Sequence, residues 1–413
     1  MKEVKYDNLV DFAVEVLHGC THHCYGCNVN REDQEGYAGQ DIAKLLGLFG
    51  DLSKHGYILA NFSIGPTDFF TSTNTEQVLK DSMALMDKFK VVILQSTFLY
   101  SKKQLEDQAA MIAPYLKGRR VKFAFPVDPR HLGKEKYART VVENVLYFKS
   151  LLPEITVTKI YGILNVKQYE EVEEDPIFRV ADMVKYFESH RITIDAVLTE
   201  GRLEMNDINN QEKLKNSFLY VKKIHDGGAL PKSIHELLTL SSYYRESVHL
   251  HSVDSQGRKF RDIDFVYKNG KIYNTVFSGE AVTLFHDSLA IDNAMEWNTL
   301  AVHSLRDRIL VNQLDYMEKT KECSSCEFAS SCMERGFLQV MKIVRTKDCI
   351  VSKKTFEQNR NTLEGSFNKE DYRKMEFPIH HEKDNSNRSS QLEAANQSGS
   401  SSNRADNKTD GSL

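Results

Sequence analysis

The sequence predicts an α/β fold: an open, partial (β/α)6 barrel, TIM-like in design, followed by a small α+β domain. Two observations support this prediction. From residue 12 to about 200, short β-rich apolar runs alternate with amphipathic helical patterns, and beyond residue 255 the pattern changes to a hairpin, a helix and clustered cysteines. Alternating β/α units form a parallel sheet with right-handed crossovers. Six units fall short of the eight that close a barrel.

Six apolar runs rich in β-branched and aromatic residues supply the predicted strands. Each is short enough for a strand and is followed by turn residues or by a helical pattern. They are FAVEVL (12–17), ILANFSIG (58–65), VVILQSTF (91–98), VKFAFPVD (121–128), KIYGILNV (159–166) and ITIDAVLT (192–199).

The stretches between these runs carry the period of an amphipathic helix. DIAKLLGLFGDLSKHG (41–56) is the first, and YARTVVENVLYFKSLL (137–152) and DPIFRVADMVKYFESH (175–190) behave similarly. In the first helix, the residues expected on the buried face are Ile42, Leu45, Leu46, Phe49 and Leu52.

The downstream part of the chain has a different character. DIDFVYKNGKIYNTVF (262–277) predicts a β-hairpin with Asn269-Gly270 as its two-residue turn. AVHSLRDRILVNQLDYMEKT (301–320) predicts a helix that leads into a group of cysteines. The expected organisation is a barrel core at 1–200, a helical connection at 201–255, an auxiliary domain at 256–365 and a mostly disordered, polar tail at 366–413.

Composition excludes several classes of protein. The 413 residues are 41% hydrophobic and 27% charged, as in an ordinary globular protein, and the formal charge of −4 gives no basic field for nucleic acid or an anionic membrane. The N-terminus has no unbroken apolar stretch typical of a signal peptide, and no segment is apolar enough to span a bilayer. We therefore expect a cytoplasmic protein, in which clustered cysteines are metal ligands rather than disulfides.

The first cysteine group lies directly after the first predicted strand. Cys20, Cys24 and Cys27 form a Cys-x3-Cys-x2-Cys loop, at the strand end where α/β folds place their chemistry. Three thiolates on so short a loop converge on one metal centre, and a [4Fe–4S] cluster bound by three cysteines keeps one iron open. The alternative is a zinc site that uses His22 or His23 as its fourth ligand.

The loop resembles that of the radical S-adenosylmethionine (SAM) superfamily, including Tyr25, the aromatic residue before the last cysteine. The resemblance implies that SAM chelates the open iron and that an electron from the cluster cleaves SAM to a 5′-deoxyadenosyl radical. This radical then abstracts hydrogen from a substrate. In such an enzyme the cofactor carries out the chemistry, and the protein orients the reactants and excludes water.

The resemblance also assigns a SAM-binding role to the segment after the second strand. Gly65, Pro66, Thr67 and Asp68 stand where the family has a Gly-Gly-Glu-Pro-like stretch that holds the SAM amino group. The double glycine and the glutamate are missing here. Gly65 permits close approach of the backbone, and Thr67 or Asp68 is the expected acceptor for an ammonium group. Gly162, in YGILN on the fifth strand, resembles the family's adenine-side strand.

The second cysteine group comprises the four remaining cysteines of the chain: Cys323, Cys326, Cys332 and Cys349. Four thiolates saturate either a zinc ion or a second [4Fe–4S] cluster, so spacing alone leaves a zinc ribbon open.

This group resembles the SPASM domain that follows the barrel in some radical SAM proteins. In that family a hairpin and further cysteines bind two auxiliary clusters. Here Asn274 and Gly336 replace two of the expected cysteines, and none lies between residues 28 and 322. The resemblance therefore implies a reduced SPASM-like domain with one auxiliary [4Fe–4S] cluster.

The resemblance implies oxidative modification of a peptide or protein, by crosslinking or residue oxidation, because such enzymes mostly act on ribosomal peptides. All seven cysteines are claimed as ligands, so none is free to donate hydrogen as in peptide epimerases. An electron donor such as flavodoxin or ferredoxin is an expected partner. Only about nineteen residues precede Cys20, so a peptide leader is expected to dock on the barrel, on the auxiliary domain or on a separate leader-binding protein. The alternatives are a small-molecule dehydrogenase and a non-catalytic zinc-binding interaction protein.

Overall fold

The computed structural model divides the chain into two units, Met1–Ser366 and Phe367–Leu413. All residues whose structure is described lie in the first unit. They are residues 9–22, 35–127, 131, 133–165, 177–197, 263–274, 286–291, 296–325, 339 and 342. The predicted helical connection at 201–255 and the predicted tail lie outside this described part.

The first six strands form a parallel sheet in chain order, which confirms the predicted β/α arrangement. The third strand ends three residues before its predicted end, and Phe98 follows it with a left-handed backbone, φ +54°. The strands are β1 (Leu9–Glu15), β2 (Ile58–Gly65), β3 (Val91–Gln95), β4 (Arg120–Val127), β5 (Thr156–Asn165) and β6 (Thr193–Val197).

Helices connect successive strands, and those predicted from their periodicity are present. A downstream helix follows the sheet and ends just before Cys323, as predicted. The helices are α1 (Asp41–Lys54), α2 (Thr75–Met86), α3 (Lys102–Leu116), α4 (Glu135–Ser150), α5 (Val180–Ser189), α6 (Thr299–Lys319) and α7 (Lys321–Ser324).

Aromatic side chains fill the core between the sheet and these helices. On β1, Phe12 packs edge-to-face against Phe49 of α1, with ring centroids 4.9 Å apart. On β4, Phe123 packs in the same manner against Phe148 of α4 at 5.5 Å. Because side chains alternate along a strand, the residues between these positions lie on the opposite face of the sheet.

The predicted hairpin is present as β7 (Ile263–Lys268) and β8 (Lys271–Asn274), followed by the short β9 (Ala290–Ile291). Its turn residues, Asn269 and Gly270, both have positive φ angles, +46° and +76°, as a two-residue hairpin turn of this type requires. The hairpin extends the barrel sheet: β7 pairs in parallel with β1, so the strand order is β6-β5-β4-β3-β2-β1-β7-β8-β9. The domain boundaries remain a prediction.

Candidate metal and cofactor site

Three βα loops meet at the carboxyl edge of the sheet. Cys20 follows β1, the segment 65–74 follows β2, and the segment 96–101 follows β3. Because parallel strands end at the same edge, residues distant in sequence are brought together there. Cys20 is half-buried and forms no disulfide.

The loop after β2 holds the chain on both sides of Gly19. The hydroxyl of Thr71 donates to the Cys20 Sγ at 3.6 Å, a normal distance for a sulfur acceptor. Upstream, the amide of Thr73 donates to the His18 carbonyl at 3.0 Å, and the Asn74 side chain donates to the Val16 carbonyl at 2.7 Å. Hydrogen bonds within the protein therefore fix the start of the cysteine loop.

Gly65 and Pro66 join β2 to this loop through a cis peptide bond. The Gly65 carbonyl accepts from the amides of Val16 and Leu17, both at 3.0 Å, which ties the end of β2 to the segment that leads to Cys20. A Cβ atom added at Gly65 would meet no atom within 4 Å. Gly65 itself is buried, but the position that a side chain would fill is empty, which leaves room for close approach of a ligand on that side.

The Asp68 carboxylate is committed to the protein itself. Oδ1 accepts from the Phe70 amide at 2.8 Å and from the Tyr100 hydroxyl at 2.7 Å, and Oδ2 accepts from the Thr97 amide at 2.6 Å. The amide of Thr71 also donates to Oδ1, at 3.3 Å. Only 4% of the side chain is exposed. Asp68 therefore organises the loops after β2 and β3, a role that its sequence position did not indicate.

Thr67 is also engaged within its own loop. The Ser72 hydroxyl donates to the Asp68 carbonyl at 2.7 Å, so its oxygen accepts the hydrogen bond from the Thr67 hydroxyl at 2.6 Å. Of the four residues expected to hold SAM, the structure leaves the side-chain position of Gly65 empty and uses the side chains of Thr67 and Asp68 within the protein.

His22, inside the cysteine loop, is tied to the same network. Its Nε2 lies 2.7 Å from the Tyr100 hydroxyl oxygen and 3.1 Å from Thr97 Oγ1. Because Tyr100 gives its own proton to Asp68, Nε2 must carry the proton and donate to Tyr100. A protonated nitrogen cannot bind a metal, so this geometry disfavours Nε2 of His22 as a zinc ligand.

Tyr100 is suited to remain a donor in this network. Burial raises the pKa of its hydroxyl well above the ordinary value, and the negative charge of Asp68 raises that pKa further. The phenol is therefore protonated at neutral pH and donates the hydrogen bond to Asp68.

The sheet face opposite the helices carries polar groups at the same edge. Lys268 of β7 forms an ion pair with Glu15 of β1 at 3.3 Å, with 11% and 15% of these side chains exposed. Strand register places further residues at this level on the same face: Gly65, Gln95, Ala124, Tyr161 and Thr193. A ligand beside Gly65 would meet a floor that combines this ion pair with neutral side chains, and the Lys159 ammonium lies 4.5 Å from the centroid of the Tyr161 ring.

Nearer the amino-terminal ends of the strands, a second polar group spans this face. Asn61 donates to the Asp11 carboxylate at 2.7 Å and accepts from the Lys122 ammonium at 2.8 Å. Burial raises the pKa of Asp11, while the hydrogen bond from Asn61 and the charge of Lys122 oppose that rise. This cluster lies on the same face as the Glu15–Lys268 ion pair, farther from the cysteine loop.

Gly162 has a packing role. A Cβ atom there would lie 2.7 Å from side-chain atoms of Ile194 and Phe125 and 2.8 Å from Val127. These neighbours belong to the core, on the side of the sheet that the helices cover. Only glycine fits at this position, which accounts for it without a ligand.

Most of the predicted ligands lie outside the described residues, namely Cys24, Cys27, Cys326, Cys332 and Cys349. Cys323 is described, half-buried on the short helix α7. Within the described ranges, no group of three His, Cys, Asp or Glu side chains is placed to hold a metal ion. Likewise, none of the described helices is both long and apolar enough to cross a membrane.

No protein-family model and no curated protein matches the chain. Among solved structures, similar ones are Streptococcus suis SuiB bound to precursor peptide SuiA, with 11% identity, a TM-score of 0.39 and coverage of 80% of this chain and 71% of that one. Another is SuiB bound to S-adenosylmethionine, with 12% identity, a TM-score of 0.38 and coverage of 80% of this chain and 70% of that one. A third is native anSMEcpe with bound AdoMet, with 12% identity, a TM-score of 0.41 and coverage of 86% of this chain and 100% of that one. Similarity at this level does not identify the residues of the site. The site described above is derived only from the residues of this chain.

Proposed function

We propose that this chain is a radical SAM enzyme whose Cys20, Cys24 and Cys27 hold a [4Fe–4S] cluster with one open iron. The main support is the position of Cys20. Its thiol stands at the carboxyl edge of the parallel strands β1–β6 and accepts a hydrogen bond from the loop after β2. A cysteine motif of this spacing at this edge is the arrangement that the radical SAM resemblance requires.

The described residues fit an iron–sulfur ligand. Cys20 is a half-buried free thiol, and Thr71 supplies the kind of hydrogen bond that stabilises a ligating thiolate. When such a cluster is bound, the chemistry available is reductive cleavage of SAM to a 5′-deoxyadenosyl radical, which abstracts hydrogen from a substrate.

The protein's own contribution is to orient and enclose the reactants. We propose that SAM lies against the segment Gly65–Asp68, chiefly over the empty side-chain position of Gly65, while the Asp68 network fixes that segment. The Glu15–Lys268 ion pair and its neutral neighbours form the floor opposite the helices. Fixed dipoles of this kind replace water around a reacting substrate.

We further propose a peptide or protein substrate and a net oxidation, such as a crosslink. We assign Cys323, Cys326, Cys332 and Cys349 to an auxiliary [4Fe–4S] cluster in a SPASM-like domain, since four thiolates saturate such a cluster. A saturated cluster supplies electron transfer rather than substrate binding, and net loss of two hydrogens requires that one electron and one proton leave the substrate radical.

Metal analysis of anaerobically reconstituted protein tests the two clusters. We expect about eight irons and eight sulfides per chain from two clusters. Replacing Cys20, Cys24 and Cys27 by alanine should leave about four irons. Tightly bound zinc in place of the downstream iron would refute the auxiliary cluster and support the zinc-ribbon alternative.

SAM cleavage tests the first site on its own. With dithionite and SAM, reconstituted wild-type protein should produce 5′-deoxyadenosine without any substrate, and the triple cysteine variant should produce none. The variant is informative only if it still binds its downstream metal, because that metal shows that the protein has folded. Equal 5′-deoxyadenosine from both proteins would refute the assignment.

The substrate class is tested by mass. A short peptide encoded next to the gene should lose about 2 Da per crosslink or desaturation when it is co-expressed with this protein. An unchanged mass with deuterium incorporated from heavy water would indicate epimerisation instead. Turnover of a free small molecule, with no peptide modified, would support the dehydrogenase alternative.

A further inference from the structure

The β7–β8 hairpin reaches the chain that follows the cysteine loop. The side-chain oxygen of Asn269 accepts from the Glu35 amide at 3.2 Å. The Tyr267 hydroxyl accepts from the Ala38 amide at 3.3 Å and donates to the Asp41 carboxylate at 2.7 Å. The two residues of each hydrogen bond lie 226 to 234 positions apart in sequence. Glu35 and Ala38 precede α1, and Asp41 is its first residue.

The same hairpin also holds the chain that precedes the cysteine loop. Its strand β7 pairs in parallel with β1, where Tyr267 lies opposite Val14. At the next position, Lys268 forms its ion pair with Glu15. The segment 16–40, which contains the three cysteines, is therefore flanked in sequence by Glu15 and Asp41, and both of these residues contact the hairpin.

The contacts to α1 are well buried. Tyr267 is fully buried and Asp41 is 2% exposed, so their hydrogen bond is shielded from water. The Tyr267 ring also lies 5.6 Å from that of Tyr37, whose hydroxyl is hydrogen-bonded to Ser82 of α2 at 2.6 Å. A buried hydrogen bond of this kind favours one packing of the hairpin on α1, because any other packing would separate the Tyr267 hydroxyl from the Asp41 carboxylate.

We propose that this hairpin is a brace for the cysteine loop, with Tyr267 and Asn269 as its positioning residues. The first metal site is then assembled from two distant parts of the chain: residues 20–27 supply the ligands, and residues 265–269 hold the ends of their loop. The part of this inference that concerns metal rests on the proposed function, whereas the part that concerns loop geometry does not.

Two substitutions at Asn269 isolate its hydrogen bond from its turn conformation. Glycine and aspartate both tolerate the positive φ angle at this position, but only aspartate keeps an oxygen that can accept from the Glu35 amide. Asn269→Gly should therefore loosen the segment 35–41, and Asn269→Asp should retain it.

A matched pair tests the tyrosine. Tyr267→Phe keeps the ring and removes the hydroxyl that contacts Ala38 and Asp41. Tyr57→Phe is the control: Tyr57 is also buried, and its hydroxyl also contacts a downstream residue, His303 at 2.9 Å, but it precedes β2 at the amino-terminal edge of the sheet. Only the first substitution should affect the cysteine loop.

The first measurement is hydrogen–deuterium exchange of the metal-free full-length variants. Loss of one net hydrogen bond should speed exchange of the amides at 35–41 by about five- to tenfold in Asn269→Gly and Tyr267→Phe. Asn269→Asp and Tyr57→Phe should exchange like wild type in this segment. If all four variants match wild type there, the brace is refuted.

The second measurement uses reconstituted protein. Asn269→Gly and Tyr267→Phe should bind less iron at the first site and should change the EPR signal of the reduced protein with SAM, whereas the two controls should not. If wild type itself takes up no iron, the proposed function fails, yet the exchange measurement still decides whether the hairpin braces the loop. Faster exchange with unchanged iron content and EPR signal would refute the link to the metal site alone.

Discussion

Replacing Asp68 by asparagine is the most informative single substitution in the site. The carboxylate accepts hydrogen bonds from the amides of Phe70, Thr71 and Thr97 and from the hydroxyl of Tyr100. Asparagine has nearly the same shape but only one acceptor oxygen. That oxygen can satisfy the three donors that converge on Oδ1, and the amide NH2 must then face the Thr97 amide, which is itself a donor.

The magnitude follows from these contacts. A buried donor left without a partner costs about 1–3 kcal/mol, and hydrogen bonds to a charged acceptor are stronger than neutral ones by about 1 kcal/mol each. Allowing for partial relaxation, we expect Asp68→Asn to lower the free energy of unfolding by roughly 3 kcal/mol. In thermal unfolding of a chain of this length this corresponds to a decrease in midpoint of about 4–6 °C.

The assay is thermal unfolding of metal-free protein, followed by circular dichroism, together with SAM binding to reconstituted protein. Asp107→Asn is the matched control, because Asp107 is an exposed aspartate in an ion pair with Lys103 and should leave the midpoint nearly unchanged. Tyr100→Phe removes one donor to Asp68 and should lower the free energy of unfolding by about 1–2 kcal/mol.

The opposite pattern would contradict this reasoning. If Asp68→Asn unfolds at the wild-type temperature yet loses SAM affinity, the carboxylate serves a ligand directly rather than the two loops. Lower stability accompanied by weaker SAM binding agrees with a network that fixes the segment against which SAM lies.

Four further predictions concern single residues. Gly162→Ala should lower the free energy of unfolding by about 1–3 kcal/mol, because its Cβ would lie 2.7–2.8 Å from three core side chains. Gly47→Ala should raise the free energy of unfolding by about 0.5–1 kcal/mol, because Gly47 lies on α1 and an added Cβ atom there would meet no atom within 4 Å. Urea denaturation measures both changes. Burial raises the pKa of Asp11, so the stability from its protonated form is present below its unfolded-state pKa and is lost as pH rises through the folded-state value. The stability of wild type relative to Asp11→Asn should accordingly fall over that pH range in urea titrations, and a constant difference would contradict this. Thr71→Val removes the hydroxyl that donates to the Cys20 sulfur and should make the reduction potential of the reconstituted first site more negative, as measured by redox titration, whereas an unchanged potential would show that this contact is lost when metal binds.

The sequence alone determined the repeating β/α pattern, the position of the cysteine loop after β1, and the hairpin. These features depend on short-range physics. Side-chain periodicity fixes which face of an element is buried, and Asn269-Gly270 takes up positive φ angles that few other residue pairs tolerate. β2 begins and ends at the predicted residues, Ile58 and Gly65.

The place of the hairpin and the hydrogen bonds of Asp68 depend on tertiary packing. Parallel pairing of β7 with β1 joins residues about 250 positions apart, and no local pattern specifies the partner of a strand. Asp68 is predicted as an acceptor for the SAM ammonium because it stands where the resembling family holds that group, and the structure shows that backbone amides from two loops also converge on it. Which donors reach a carboxylate depends on how the loops fold over one another, so this role became visible only once the chain was packed.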